Sequence, residues 1–212
     1  MSSKHKIQSR QEELANTATH ALGVILILVF FPLLLKVAVD KGAYSMLWAL
    51  GVFGFGMLMA YLASTLYHLV EDSRVKSKLR VWDHIGIFLL IGGTYTPVVC
   101  RYTDQQTAVV FLTVMWSLIA IGSILKFFHT GKYDRLSTFI YLFLGWMVIF
   151  IIGPVRQHMP FEIFMWILAG GMAYTLGVIF YKWRSLKYQH SIWHLFVLAG
   201  TAFQFVAVYK SL

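Results

Sequence analysis

Seven apolar runs, each close to the length of a membrane crossing, leave this chain almost no soluble fold to adopt. They cover 19–39, 44–68, 84–101, 107–128, 136–155, 161–181 and 190–209. A hydrocarbon core of ~30 Å takes roughly 20 residues of helix, and lipid cannot hydrogen-bond the backbone that any open alternative would expose. The connections are short, so the expected fold is all-α: one bundle of seven transmembrane helices. Composition agrees, with 58% hydrophobic and 13% charged residues where a soluble domain carries about a quarter charged. No polar stretch is long enough for a separate domain. The chain therefore divides into a surface segment, 1–18, and a membrane domain, 19–212. Within the first, Ser9 and Glu12 have capping-box spacing and predict a helix start at the membrane surface. The first run is too long for a signal-peptide core and no A-x-A site follows it. Cys100 is the only cysteine, which excludes an internal disulfide and thiolate metal clusters.

A net charge of +9 invites a nucleic-acid reading, but the bases lie in short clusters between apolar runs, as membrane loops do. Nucleic-acid binding is rejected. Lys4, Lys6, Arg10, Arg74, Lys76, Lys78, Arg80, Lys126, Lys132, Arg135, Lys182, Arg184 and Lys187 fall on one side, 13 of the 18 bases. Lys36, Lys41, Arg101, Arg156 and Lys210 fall on the other. The positive-inside rule then predicts a multi-pass inner-membrane protein, N-terminus cytoplasmic and C-terminus external. Trp82, Trp183 and Tyr209 suit interfacial anchoring.

Ionisable groups inside such a bundle need partners, because burying one costs ~2.5–3.5 kcal/mol even on a lenient insertion scale. The second run ends STLYH, with Ser64 and His68 four residues apart. The third begins WDHIGI, with Asp83 and His84, and the seventh begins HSIWH, with His190 and His194. A spacing of four puts both imidazoles on one helical face, where they can share one Zn²⁺. The charge-derived topology brings His68, Asp83, His190 and His194 to the same cytoplasmic end. Three neutral histidines would leave tetrahedral zinc one open position, as in catalytic sites. Asp83 is then a general base and Ser64 an oxyanion or ligand-orienting group. Blander readings stand beside these: interfacial or packing histidines, Asp83 as the N-cap of the third helix, Ser64 as a small packing residue. His84 points roughly 100° from Asp83 on an ideal helix. Glu13, Asn16 and His20 can line the same mouth or belong to a capped helix end. His5, His129 and His158 read as tail or loop residues, and Gly92, Gly93, Gly170 and Gly171 as points of close helix approach.

The stretches EELANTATHALG, STLYH with WDHIGIFLLIGGTYTP, and HSIWHLFVLAG together resemble the hemolysin III family, the bacterial branch of the progestin and adipoQ receptor proteins. The likeness runs over essentially the whole chain. It implies a seven-helix bundle inverted relative to G-protein-coupled receptors, with zinc held by His68, His190 and His194 beside the family's serine and aspartate, here Ser64 and Asp83. Links of eukaryotic relatives to ceramide hydrolysis imply a metal-dependent lipid amidase. Gln204 departs from the family pattern, in which many relatives carry a further histidine.

Three functions follow as expectations. The first is a zinc hydrolase of an amide or ester bond in a membrane lipid, active in membrane homeostasis. The alternative is a non-enzymatic sensor or homeostasis factor in which zinc ties the second helix to the seventh. A pore-forming cytolysin, which the family name suggests, fits poorly: a lytic toxin must be soluble before it inserts. A transporter is disfavoured, since Asp83 lies at a helix end rather than the midplane.

Overall fold

The computed structural model describes residues 8–212; Lys4, His5 and Lys6 of the basic tail lie outside the described residues. The described chain is helical almost throughout. It comprises α1 (Arg10–Asp40), α2 (Leu47–Leu69) entered through a 3-10 turn at Tyr44–Met46, α3 (Ser73–Tyr102) and α4 (Gln105–His129). These are followed by α5 (Asp134–Gly145), a 3-10 stretch Met147–Ile151, α6 (Ile152–His158), α7 (Phe161–Lys182) and α8 (Gln189–Ser211). Seven stretches are long and apolar enough to cross a membrane, the fifth being the broken run Asp134–His158.

Large apolar side chains such as Leu28, Ile124, Phe128, Phe139 and Phe150 face outward, as lipid requires of a helix wall. With no hydrophobic difference between a lipid tail and a leucine, helices in a bilayer associate where small residues let backbones close in. The pairing of α2 with α3 is the most extensive and is built this way. A Cβ on Gly86 would sit 2.8 Å from the Ala60 Cα, and one on Gly93 would sit 3.0 Å from the Val52 carbonyl oxygen. Gly171 differs from its expected role, since its nearest neighbour is the Trp146 ring at 3.8 Å.

Two elements depart from the sequence reading. The third helix starts eleven residues earlier than its apolar run, at Ser73, so the basic residues Arg74 to Arg80 form helix rather than loop. Its N-cap is Asp72, whose carboxylate accepts the Arg74 and Val75 N–H groups, both at 2.9 Å. Asp83 is therefore not a cap; it lies in the helix interior. The fifth span is not one helix. Pro154 lacks an N–H and its ring crowds the carbonyl four residues back, and the chain tightens to 3-10 geometry just before it. Tyr95 on α3 mends the break: its hydroxyl donates to the Gly145 carbonyl at 2.8 Å and accepts the Val148 N–H at 3.0 Å.

Candidate metal centre

The capping box foreseen at the start of α1 is formed. The Ser9 N–H donates to Glu12 Oε2 at 2.9 Å, and the Glu12 N–H donates to Ser9 Oγ at 3.3 Å. The other Glu12 oxygen accepts the Tyr188 N–H at 3.2 Å. Tyr188 precedes α8 with φ 56°, the one positive-φ non-glycine among the described residues. A left-handed tyrosine is unfavourable unless its surroundings hold it. Here it sets the entry of α8 against α1, and α8 carries two of the histidines.

His68 and His194 are buried and His190 is half-buried, and one ring nitrogen from each lies within 4.8 Å of the others. Ring centroids are 5.1 Å apart for His68 and His190, 5.2 Å for His68 and His194, and 4.5 Å for His190 and His194. The residues behind the rings fix which nitrogens face inward. His68 Nδ1 lies 2.7 Å from Glu13 Oε2, whose second oxygen pairs with the Lys76 ammonium at 3.1 Å. His194 Nδ1 lies 3.0 Å from Thr19 Oγ1 and 3.2 Å from the Asn16 carbonyl. The Thr19 hydroxyl spends its own proton on the Ala15 and Asn16 carbonyls, so at His194 it accepts. Nδ1 of His194 is the protonated nitrogen and Nε2 carries the lone pair. Nε2 of His68 is buried with no hydrogen-bond partner.

An orphaned imidazole nitrogen beside two more histidines is costly in a dry bundle. A metal ion relieves that cost, and nitrogen donors backed by a carboxylate and a carbonyl are the usual surroundings of a metal-bound histidine. The donor set fits a metal.

Asn16, fully buried, also accepts from the Ser191 hydroxyl at 2.6 Å, so α1 braces both halves of the cluster. His20, 6% exposed, stacks on His194 with centroids 3.5 Å apart and planes 11° from parallel, and both its ring nitrogens lack hydrogen-bond partners. The segment EELANTATH thus belongs to the site. Its signal was the run of polar residues at helical spacing where the first membrane span begins.

His20, His190, His194 and Asp83 line one cavity of roughly 420 Å³. His84 lines it too, with Nδ1–H donating to the Arg80 carbonyl at 2.8 Å, so neighbouring positions on α3 both reach the cavity edge. Ser64 lies one turn from His68 on α2 and is 1% exposed, with an unpartnered hydroxyl, but it is not part of the cavity wall. Gln204 is part of that wall and donates to the Ile167 carbonyl at 3.0 Å. It lies along α8 well away from the histidine cluster. A metal ion held by these histidines would face a cavity that is mostly apolar and also bears the Asp83 carboxylate, an arrangement suited to a carbonyl compound with a greasy tail.

The family model described as Haemolysin-III related matches residues 8–205. The chain is 36% identical over 198 residues to the hemolysin-3 homolog of Bacillus subtilis, covering 93% of each. It is 37% identical over 198 residues to hemolysin-3 of Bacillus cereus, covering 93% of this chain and 90% of that protein. Human monocyte to macrophage differentiation factor is 28% identical over 209 residues, covering 95% and 84% respectively. No solved structure gives a significant match.

Proposed function

The chain belongs to the haemolysin-III-related family of multi-pass membrane proteins, and on that premise we propose that it is a zinc-dependent hydrolase of an amide or ester bond in a plasma-membrane lipid. The observation that carries the reading is the convergence of His68, His190 and His194, with the outer nitrogen of His68 on Glu13 and its inner nitrogen unpartnered. These three residues would hold the ion. Bound there, Zn²⁺ would supply Lewis acidity and lower the pKa of a water to around 7.

The chain's own groups do the rest. The apolar cavity receives the acyl part of the lipid and keeps bulk water away. The Asp83 carboxylate takes a proton from the attacking water as oxygen bonds to the carbonyl carbon. It returns that proton to the leaving nitrogen or oxygen as the carbon–heteroatom bond breaks. Ser64, one turn from His68 with its hydroxyl unpartnered, is a reserve donor for a bound ligand or oxyanion.

A structural tie is the second reading, favoured by the way Asn16 and Glu12 already lash α1 to α8. Elemental analysis of purified protein separates the outcomes: about one zinc per chain, lost in His194→Ala, is expected. Metal-loaded protein should then release product from a lipid panel and Asp83→Ala should not. Zinc without product would leave the tie; no zinc in folded wild type would refute both readings. Nothing in seven resident spans supports a soluble, inserting toxin.

A further inference from the structure

The cavity continues well beyond the histidines. Along α3 its wall runs from Asp83 past Leu90 and Thr94 to Val98, a rise of ~22 Å at ~1.5 Å per residue. Each leaflet has only ~15 Å of hydrocarbon depth, so the cavity is long enough for a whole membrane acyl chain. Most of its lining is apolar. The end shared with Asp83 is different.

There, Lys126 enters the wall from the last turn of α4, only 5% exposed. Among the described residues its ammonium makes no hydrogen bond or ion pair, and it stands over the Tyr141 ring, 6.0 Å from the centroid. The charged groups that face it are Asp134, Arg80 and Lys182, and Lys182 already donates to Thr138 Oγ1 at 2.8 Å. Counting Asp83, three cations stand against two carboxylates at this end. An ammonium in such a wall without an acceptor is poorly solvated, whereas an anionic oxygen beside it would be strongly held. A neutral lipid offers no such group.

We propose that Lys126 anchors the anionic oxygen group of an acyl-chain amphiphile whose chain occupies the cavity, so that this protein selects lipids with a negatively charged headgroup. The inference rests on the cavity as a lipid site and not on zinc or hydrolysis. It concerns Lys126 on α4, whereas the histidines stand on α2 and α8, and would give the proposed hydrolase an anionic rather than a neutral substrate.

The test uses full-length protein in zwitterionic nanodiscs with chelator present, so that failure of the hydrolase reading leaves it untouched. Binding of a fluorescent alkyl phosphate is compared with that of the alcohol of the same chain length. Wild type should prefer the phosphate by about tenfold or more, as expected for a desolvated charge-assisted hydrogen bond. Lys126→Met should abolish the preference and Lys126→Arg should keep it. If Lys126→Met does not fold, Asp134→Asn serves instead: removing the facing carboxylate should tighten phosphate binding and leave the alcohol unchanged. Equal binding of the two amphiphiles by wild type, or a preference that survives in Lys126→Met, would overturn the proposal. So would inorganic phosphate binding as tightly as the alkyl phosphate, since the site would then be for a free ion.

Discussion

At the scale of single residues, the weight of the site falls on what stands behind the histidines. A carboxylate on the outer nitrogen of an imidazole fixes the ring and makes the inner nitrogen a better donor, and losing it typically costs about 10–100-fold in metal affinity. Glu13 occupies that position at His68, 2.7 Å away. Glu13→Gln keeps the size and the hydrogen bond but loses the charge. We expect it to fold normally, retain metal at saturating zinc, and bind it about ten times more weakly in chelator competition. Unchanged affinity would show that the contact only packs. The histidine pair on α8 was legible in the sequence because a spacing of four on a helix guarantees a shared face. His68 joined it through topology. Glu13, Asn16 and His20 were visible only as candidates, since nothing local separates a residue that backs a metal ligand from one that finishes a helix. Their role depends on α1 lying against α2 and α8, a tertiary fact.

At the scale of elements, apolar length located all seven spans but could not show where a helix breaks inside one. Hydropathy averages over residues and is blind to the backbone, so 136–155 reads as uniform although its α-helix stops at Gly145 and resumes only at Ile152. The same blindness hid the start of α3, where a charged amphipathic stretch is helix because Asp72 caps it, not because lipid demands it. In lipid a break is tolerated only if its freed groups are satisfied from elsewhere, and Tyr95 satisfies two of them. Tyr95→Phe removes one oxygen and leaves both the Gly145 carbonyl and the Val148 N–H without it. Thermal unfolding in detergent should report a loss of about 1–3 kcal/mol. A loss within error would mean that the 3-10 stretch finds its own partners. Since Tyr95, Gly145 and Val148 also line the cavity, the variant should weaken alkyl-chain binding alongside stability.

For the whole molecule, the question with functional consequence is which way the bundle faces. Seven spans put the N-terminus of α1 and the start of α8 at one end, together with the cluster of histidines, Asp83 and Lys126. Among the described residues 11 of the 16 bases also belong to that end, and basic loops are retained on the cytoplasmic side during insertion. The proposed site should therefore open toward the cytoplasm and draw its lipid from the inner leaflet. Single-cysteine labelling decides this. In a Cys100→Ala background, Gln106→Cys lies at the opposite end, just inside α4, and Lys187→Cys lies in the connection to α8; both native side chains are exposed. A membrane-impermeant maleimide on intact cells should modify Gln106→Cys and reach Lys187→Cys only after lysis. The reverse pattern would place the histidines and Lys126 outside. An outward-facing site would meet outer-leaflet lipid and external zinc, and the charge bias of this chain would then need another cause.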